Sequence, residues 1–214
     1  MAVENFLKRL EKYGEEQGYF KEMKLGELDK SCCLNSQTIC IDFDKTKEII
    51  SNKNGFQPSK SSDGLKILSE NDRIDFVEMK GWKEFLNWNT DVDAEKIKGK
   101  ITKFNLQTKL SDSLFILKNI TLEEKFQLTS SEQNQCSTTP KHLILVVDIE
   151  DMSSIERIAF NLETLGSTSS KISLEILQET DKELKSIRMS EMDNTQAPIR
   201  LTCGTVDKYY ENLA

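Results

Sequence analysis

Asp63-Gly64-Leu65-Lys66-Ile67-Leu68-Ser69-Glu70-Asn71-Asp72-Arg73-Ile74-Asp75-Phe76-Val77-Glu78-Met79-Lys80 is the stretch on which the reading of this chain turns. Leu65 and Ile67 lie two apart, as do Ile74 and Phe76, the spacing of half-buried strands. Ser69 to Asp72 is turn material, so the segment predicts a β-hairpin with a four-residue connection. In the second strand a period of two puts Ile74, Phe76, Glu78 and Lys80 on one side and Asp75, Val77 and Met79 on the other. Asp63, at the head of the partner strand, can then approach Glu78 and Lys80. Two carboxylates and an amine on adjacent strands are what a divalent cation and an activated water require.

Around this hairpin, composition sets bounds. The chain has 214 residues, 37% hydrophobic and 30% charged, which suits one sizeable soluble domain. Its 36 acidic and 29 basic residues leave a net charge of −7, so a polyanion must be met by a local patch or a metal ion. The first eighteen residues are charged throughout and do not read as a secretory signal, and no apolar run reaches transmembrane length. The expected location is therefore cytoplasmic, with no membrane partner. Cys32, Cys33, Cys40, Cys136 and Cys203 lack paired C-x-x-C knuckles. A redox role through Cys32-Cys33 is one reading, and reduced intracellular thiols are the preferred one.

Outward from the hairpin, Val3, Phe6, Leu7, Leu10 and Tyr13 predict an amphipathic packing helix closed near Gly14 or Gly18. The stretch from Phe20 to Gln37 reads as irregular, and Thr38 to Phe43 as a strand. Asp42 and Asp44 have cation-binding spacing but rank below Asp63. Asn52 to Gly55 and Pro58 to Ser62 read as a flexible loop. Trp82, Phe85 and Trp88 share a helical face that could stack on bases, with a packed aromatic edge preferred. From Val92 to about Leu122 the pattern predicts one long helix. On it Lys96, Lys100, Lys103 and Gln107 fall on one face, a candidate phosphate contact or simply a solvated face. Thr129 to Thr139 reads as a loop. His142 to Asp148 is the most apolar strand, suited to burial on both faces. His142, the only histidine, stands at its mouth with no nucleophile motif beside it. Ser153 and Glu156 suggest a capping box before a stripe closed by Gly166. Ile172, Leu174 and Ile176 alternate like a strand, as do Ile199, Leu201 and Cys203, before a last short helix. The expected fold is α/β, a mixed central sheet flanked by helices. The expected domain is a single unit over 1–214, its core at about 38–150, with 151–214 completing the sheet.

Asp63, the turn, then Glu78-Met79-Lys80, a long helix and an apolar strand together resemble the PD-(D/E)xK nuclease superfamily, the restriction-endonuclease-like fold. The similarity runs in element order from about Asp42 to Asp148, and its specific part is three residues. Ser62 stands where the motif's proline would be. The resemblance implies that Asp63 and Glu78 bind Mg²⁺ (or Mn²⁺) with the main-chain carbonyl of Met79. It implies that Lys80 orients or activates the attacking water, or steadies charge on the phosphate. It also implies accessory residues, for which Glu48 on an earlier helix, and Lys103 or Gln107 on the following one, are the candidates. The lysines Lys96, Lys100 and Lys103 would then meet nucleic acid.

The function expected is a metal-dependent endonuclease hydrolysing phosphodiester bonds, in DNA ahead of RNA. The rival is a catalytically silent scaffold of the same shape that binds another protein, favoured by the acidic surface and the shortage of arginine. A homodimer or a protein partner is compatible with either. The plain structural alternative for Glu78 and Lys80 is a surface ion pair on an edge strand, worth roughly 0–1 kcal/mol.

Overall fold

The computed structural model describes residues 5–30, 32–56, 60–89, 91–150, 168–189 and 193–213. Its strands are β1 (Glu22–Lys24), β2 (Ile39–Asp42), β3 (Gly64–Leu68), β4 (Arg73–Lys80), β5 (Lys141–Val147) and β6 (Ile199–Thr202). They form one sheet in the order β1-β2-β3-β4-β5-β6. The first four are antiparallel neighbours, whereas β4–β5 and β5–β6 are parallel, so the sheet is mixed. Of the antiparallel steps only β3–β4 is a hairpin, since the β1–β2 and β2–β3 connections each carry a helix; the parallel steps need long crossovers, which here also carry helices.

The hairpin forms as its alternation predicts. Leu65 pairs with Phe76 and Leu68 with Arg73 across a turn over Ser69–Asn71, where Asp72 takes the left-handed conformation at φ 47°. Strand β4 is central, lying between β3 and β5, and its two faces enter two different cores. Ile74 and Phe76 join Phe6, Leu10, Leu106 and Leu110 on one side. Val77 and Met79 join Leu25, Cys40, Val206 and Tyr210 on the other. Burial of each such side chain contributes about 1.5–3 kcal/mol, so the register of β4 is strongly set: a slip by one residue would exchange the two faces.

The helices are α1 (Phe6–Glu16), α2 (Leu25–Leu28), α3 (Phe43–Asn54), α4 (Lys83–Trp88), α5 (Ala94–Thr102), α6 (Leu106–Thr121), α7 (Ser130–Thr138), α8 (Thr168–Ser186) and α9 (Val206–Glu211). Among the described residues no helix is long and apolar enough to cross a membrane.

Five expectations change. The expected irregular region from Phe20 to Gln37 contains β1 and α2. Part of the loop expected before the hairpin is the end of α3, whose first turn is capped by Asp42 accepting from Lys45 N at 2.9 Å. The single long helix is two, broken where Asn105 adopts φ 53°; α5 then packs on α8 and α6 on α3. The loop expected over Thr129 to Thr139 contains α7, which starts with a capping box between Thr129 and Glu132. Its polar composition hid it, and it is held by Arg9, whose guanidinium reaches both oxygens of buried Glu132 at 2.7 Å. Finally, Ile172, Leu174 and Ile176 lie in α8, not a strand. Ile176, Thr180 and Leu184, at steps of four, are its buried stripe. The capping box at Ser153 and its stripe to Gly166 lie outside the described residues.

Candidate active site

The register delivers Asp63 to Glu78. Gly64 pairs with Val77, so Asp63, one residue earlier, faces the end of β4, and its Oδ2 accepts a hydrogen bond from Met79 N at 2.7 Å. Asp63 O in turn accepts from Phe43 N at 3.1 Å, tying the head of β3 to the start of α3. Glu78 shares its face with Ile74 and Phe76 and is fully buried. An edge-strand surface ion pair is therefore ruled out for it.

Two ammonium groups answer that buried carboxylate. Lys80 Nζ forms an ion pair with Glu78 and donates to Met79 O at 2.9 Å. Lys109 Nζ, from α6, donates to Glu78 Oε1 at 2.7 Å and Oε2 at 2.8 Å, and lies 3.5 Å from Asp63 Oδ1. Burial, and then the nearby charge of Asp63, push the Glu78 carboxyl up to about 7, against the pull of Lys80 and Lys109. Burial would draw the Lys109 ammonium down, but Glu78 and Asp63 more than offset it and hold it above its ordinary value.

Lys109 is the site residue that the sequence reading passes over. Helix α6 is pinned at its middle, where Ser113 Oγ accepts from Ser62 N at 2.9 Å and donates to Ser62 Oγ at 3.2 Å, both serines buried. Lys109 lies four residues, one turn, before Ser113 and three after buried Leu106, so it points the same way, over Asp63 and Glu78. A lysine on the apolar stripe of a helix was the available signal; stepping the lysine row through an assumed continuous helix obscured it.

The other expected residues are placed as follows. Glu48 is exposed on α3 and pairs with Lys45 at 2.6 Å. The acid of α3 whose charge reaches Lys109 is Asp44, which also accepts from Ser61 Oγ at 2.5 Å. Lys103 is exposed at the C-cap of α5. Gln107 is exposed and exchanges two hydrogen bonds with the backbone of Arg188. The break at Asn105 divides the row Lys96, Lys100, Lys103 and Gln107. Lys100 is half-buried rather than solvated: it donates to Gly81 O at 2.6 Å and covers the Trp82 and Phe85 rings at 4.6 and 4.5 Å. Trp82 is buried and Trp88 exposed, so the expected aromatic edge is only part of a packed surface. His142 sits beside Asp75 in the sheet, three residues before Leu145, the partner of Glu78; burial, then Arg73, push its imidazole down to about 4.

No protein-family model, curated protein or solved structure matches this chain. The site is thus judged on its own chemistry. Oxygen donors only, on two carboxylates and a main-chain carbonyl, suit a hard divalent cation that retains water ligands. The place where one cationic nitrogen meets both Glu78 and Asp63 is where such an ion would see both charges. The donor set therefore fits Mg²⁺ or Mn²⁺.

Proposed function

We propose that this chain is a metal-dependent nuclease that hydrolyses phosphodiester bonds in nucleic acid, DNA ahead of RNA, on a restriction-endonuclease-like fold. The observation that carries the reading is the bridging position of Lys109 Nζ, in contact with both Glu78 and Asp63, beside Lys80 and the Met79 carbonyl. Asp63, Glu78 and Met79 O would hold Mg²⁺ or Mn²⁺. Bound there, such an ion supplies Lewis-acid polarisation of a phosphoryl oxygen and an acidified water. In hydrolysis the water oxygen joins phosphorus and the bond to the leaving sugar oxygen breaks. Lys80 orients the water, and Lys80 and Lys109 are the positive charges available to the phosphate as its negative charge grows. Glu78 must be ionised to bind the ion, which ties activity to loss of its proton.

The test is incubation of the purified protein with Mn²⁺ and single-stranded, duplex and branched DNA, and RNA. Cleavage is expected, falling by about a hundredfold or more in Glu78→Ala and Lys80→Ala while both variants still unfold cooperatively. All substrates surviving intact would overturn the proposal. A second reading, a silent scaffold that binds another protein, is favoured by the same lysines: they already neutralise Glu78 within the protein. Calorimetry separates the two, since the scaffold gives no heat with millimolar Mn²⁺.

A further inference from the structure

We propose that Cys32, Cys33 and Cys203, on the sheet face opposite Glu78, form a thiolate site for a thiophilic divalent cation of the Zn²⁺ class once the Cys33–Cys203 disulfide is reduced. The expectation of reduced thiols throughout is not met: Cys33 and Cys203, 170 residues apart in sequence, are bonded, with Cα atoms 4.9 Å apart. Cys32, buried, lies beside that bond. Its Sγ is 3.5 Å from Cys33 Sγ and 3.4 Å from Cys203 Sγ.

These two distances decide between thiol exchange and metal binding. Attack on a disulfide runs along the axis of the bond, so the attacking sulfur is near one sulfur and far from the other. Cys32 is equidistant, side-on to the bond. A tetrahedral ion with Zn–S bonds of about 2.3 Å sets its sulfurs about 3.8 Å apart. The two unbonded distances are within a few tenths of an ångström of that value, and the three ligand atoms all lie within 4.8 Å of one another. Only the bonded pair must separate, and reduction allows it.

The surrounding chain is built to bring these sulfurs together. Cys33 occupies the left-handed region at φ 54°, a costly conformation for a side chain other than glycine's and one that persists only where its surroundings impose it. A Cβ on Gly26 would lie 2.7 Å from Cys33 O, and one on Gly204 2.8 Å from a Glu150 oxygen, so both cysteine loops depend on a glycine for close approach. Cys33 and Cys203 also line a cavity of about 500 Å³ together with Asp148, Glu150, Asp207 and Lys83. Three carboxylates against one amine favour a cation there, and solvent entering that cavity would complete a tetrahedral set. Sulfur donors select soft ions, so this site does not compete for Mg²⁺.

Opening the site balances as thiol–disulfide exchange. Two equivalents of a small thiol each give up one electron and one proton and leave as their own disulfide, and Cys33 and Cys203 gain thiol hydrogens. Binding of the divalent ion then releases three protons from three thiols and leaves a complex of net charge −1. Oxidation removes two of the three ligands, so metal occupancy follows redox state.

Cadmium is the probe, added anaerobically, with excess Mg²⁺ present, to protein reduced by a small thiol that is removed beforehand. The expected result is an ultraviolet thiolate-to-metal charge-transfer band saturating at one equivalent. The band should be absent from the oxidised protein, lost in Cys203→Ser and kept in Cys136→Ser. Should Cys203→Ser fail to fold, cadmium NMR of the wild-type chain counts the sulfur ligands directly. Three sulfurs support the site; no band in the reduced protein, or a shift for two sulfurs or fewer, overturns it. Neither readout depends on nuclease activity, so this proposal and the preceding one fail separately.

Discussion

Glu78 places opposing demands on one proton: burial and Asp63 favour the neutral acid, while Lys80 and Lys109 favour the anion. With its carboxyl raised from 4.5 to about 7, the folded protein holds a proton that the unfolded chain has already released. This stabilisation is complete below the unfolded value and is lost as pH climbs toward 7, on the order of 3 kcal/mol across that window. Glu78→Gln should flatten the pH dependence of unfolding free energy between those limits, as read by urea titration; parallel wild-type and variant profiles would contradict the assignment. Under the proposed function the same proton would compete with metal, so cleavage rates at limiting Mn²⁺ should rise as pH passes upward through about 7. At this scale Asp63, Glu78 and Lys80 were legible because strand alternation is a short-range property. Lys109 was not, because its direction depends on where a helix breaks and on the Ser62–Ser113 contact.

Helix α6 aims Lys109 only because α5 ends before it. Asn105, at φ 53°, makes the break, and its Oδ1 accepts from Thr108 Oγ1 at 2.8 Å. Asparagine tolerates that backbone conformation better than other side chains do. Asn105→Ala should therefore cost about 1–2 kcal/mol, and Asn105→Gly less; equal stability of Ala and wild type in denaturant melts would refute this. The break was passed over because each apolar stripe is helical by itself; at about 100° per residue Ile97, Ile101 and Phe104 fall on nearly the opposite side from Leu110, Leu114 and Leu117, and that phase slip is its sequence signal. Helix α7 was hidden for a different reason: its one buried anchor is a glutamate paired with Arg9 from 123 residues away. Strands β3, β4, β5 and β6 needed no such long-range information, since their alternation or continuous apolarity is written in four to eight consecutive residues.

Across the whole molecule, the sheet carries oxygen donors with two lysines on one face of β4 and, behind the other, the Cys33–Cys203 disulfide with the Cys32 thiol. The mixed α/β class was legible from element order, whereas the crossing of chain ends that joins Cys33 to Cys203 has no local signature. A net charge of −7 also bears on the proposed binding of nucleic acid. Without divalent cation, duplex DNA should not be retained at physiological ionic strength, and Mn²⁺ should restore binding; tight metal-free binding in a filter assay would argue against a metal-mediated interface. The most direct measurement is anomalous diffraction from crystals of the protein soaked in Mn²⁺. The account predicts a peak between the carboxylates of Asp63 and Glu78, next to Met79 O, with Lys109 Nζ displaced from its bridging position. An empty map there, with Lys109 still bound to both acids, would contradict it.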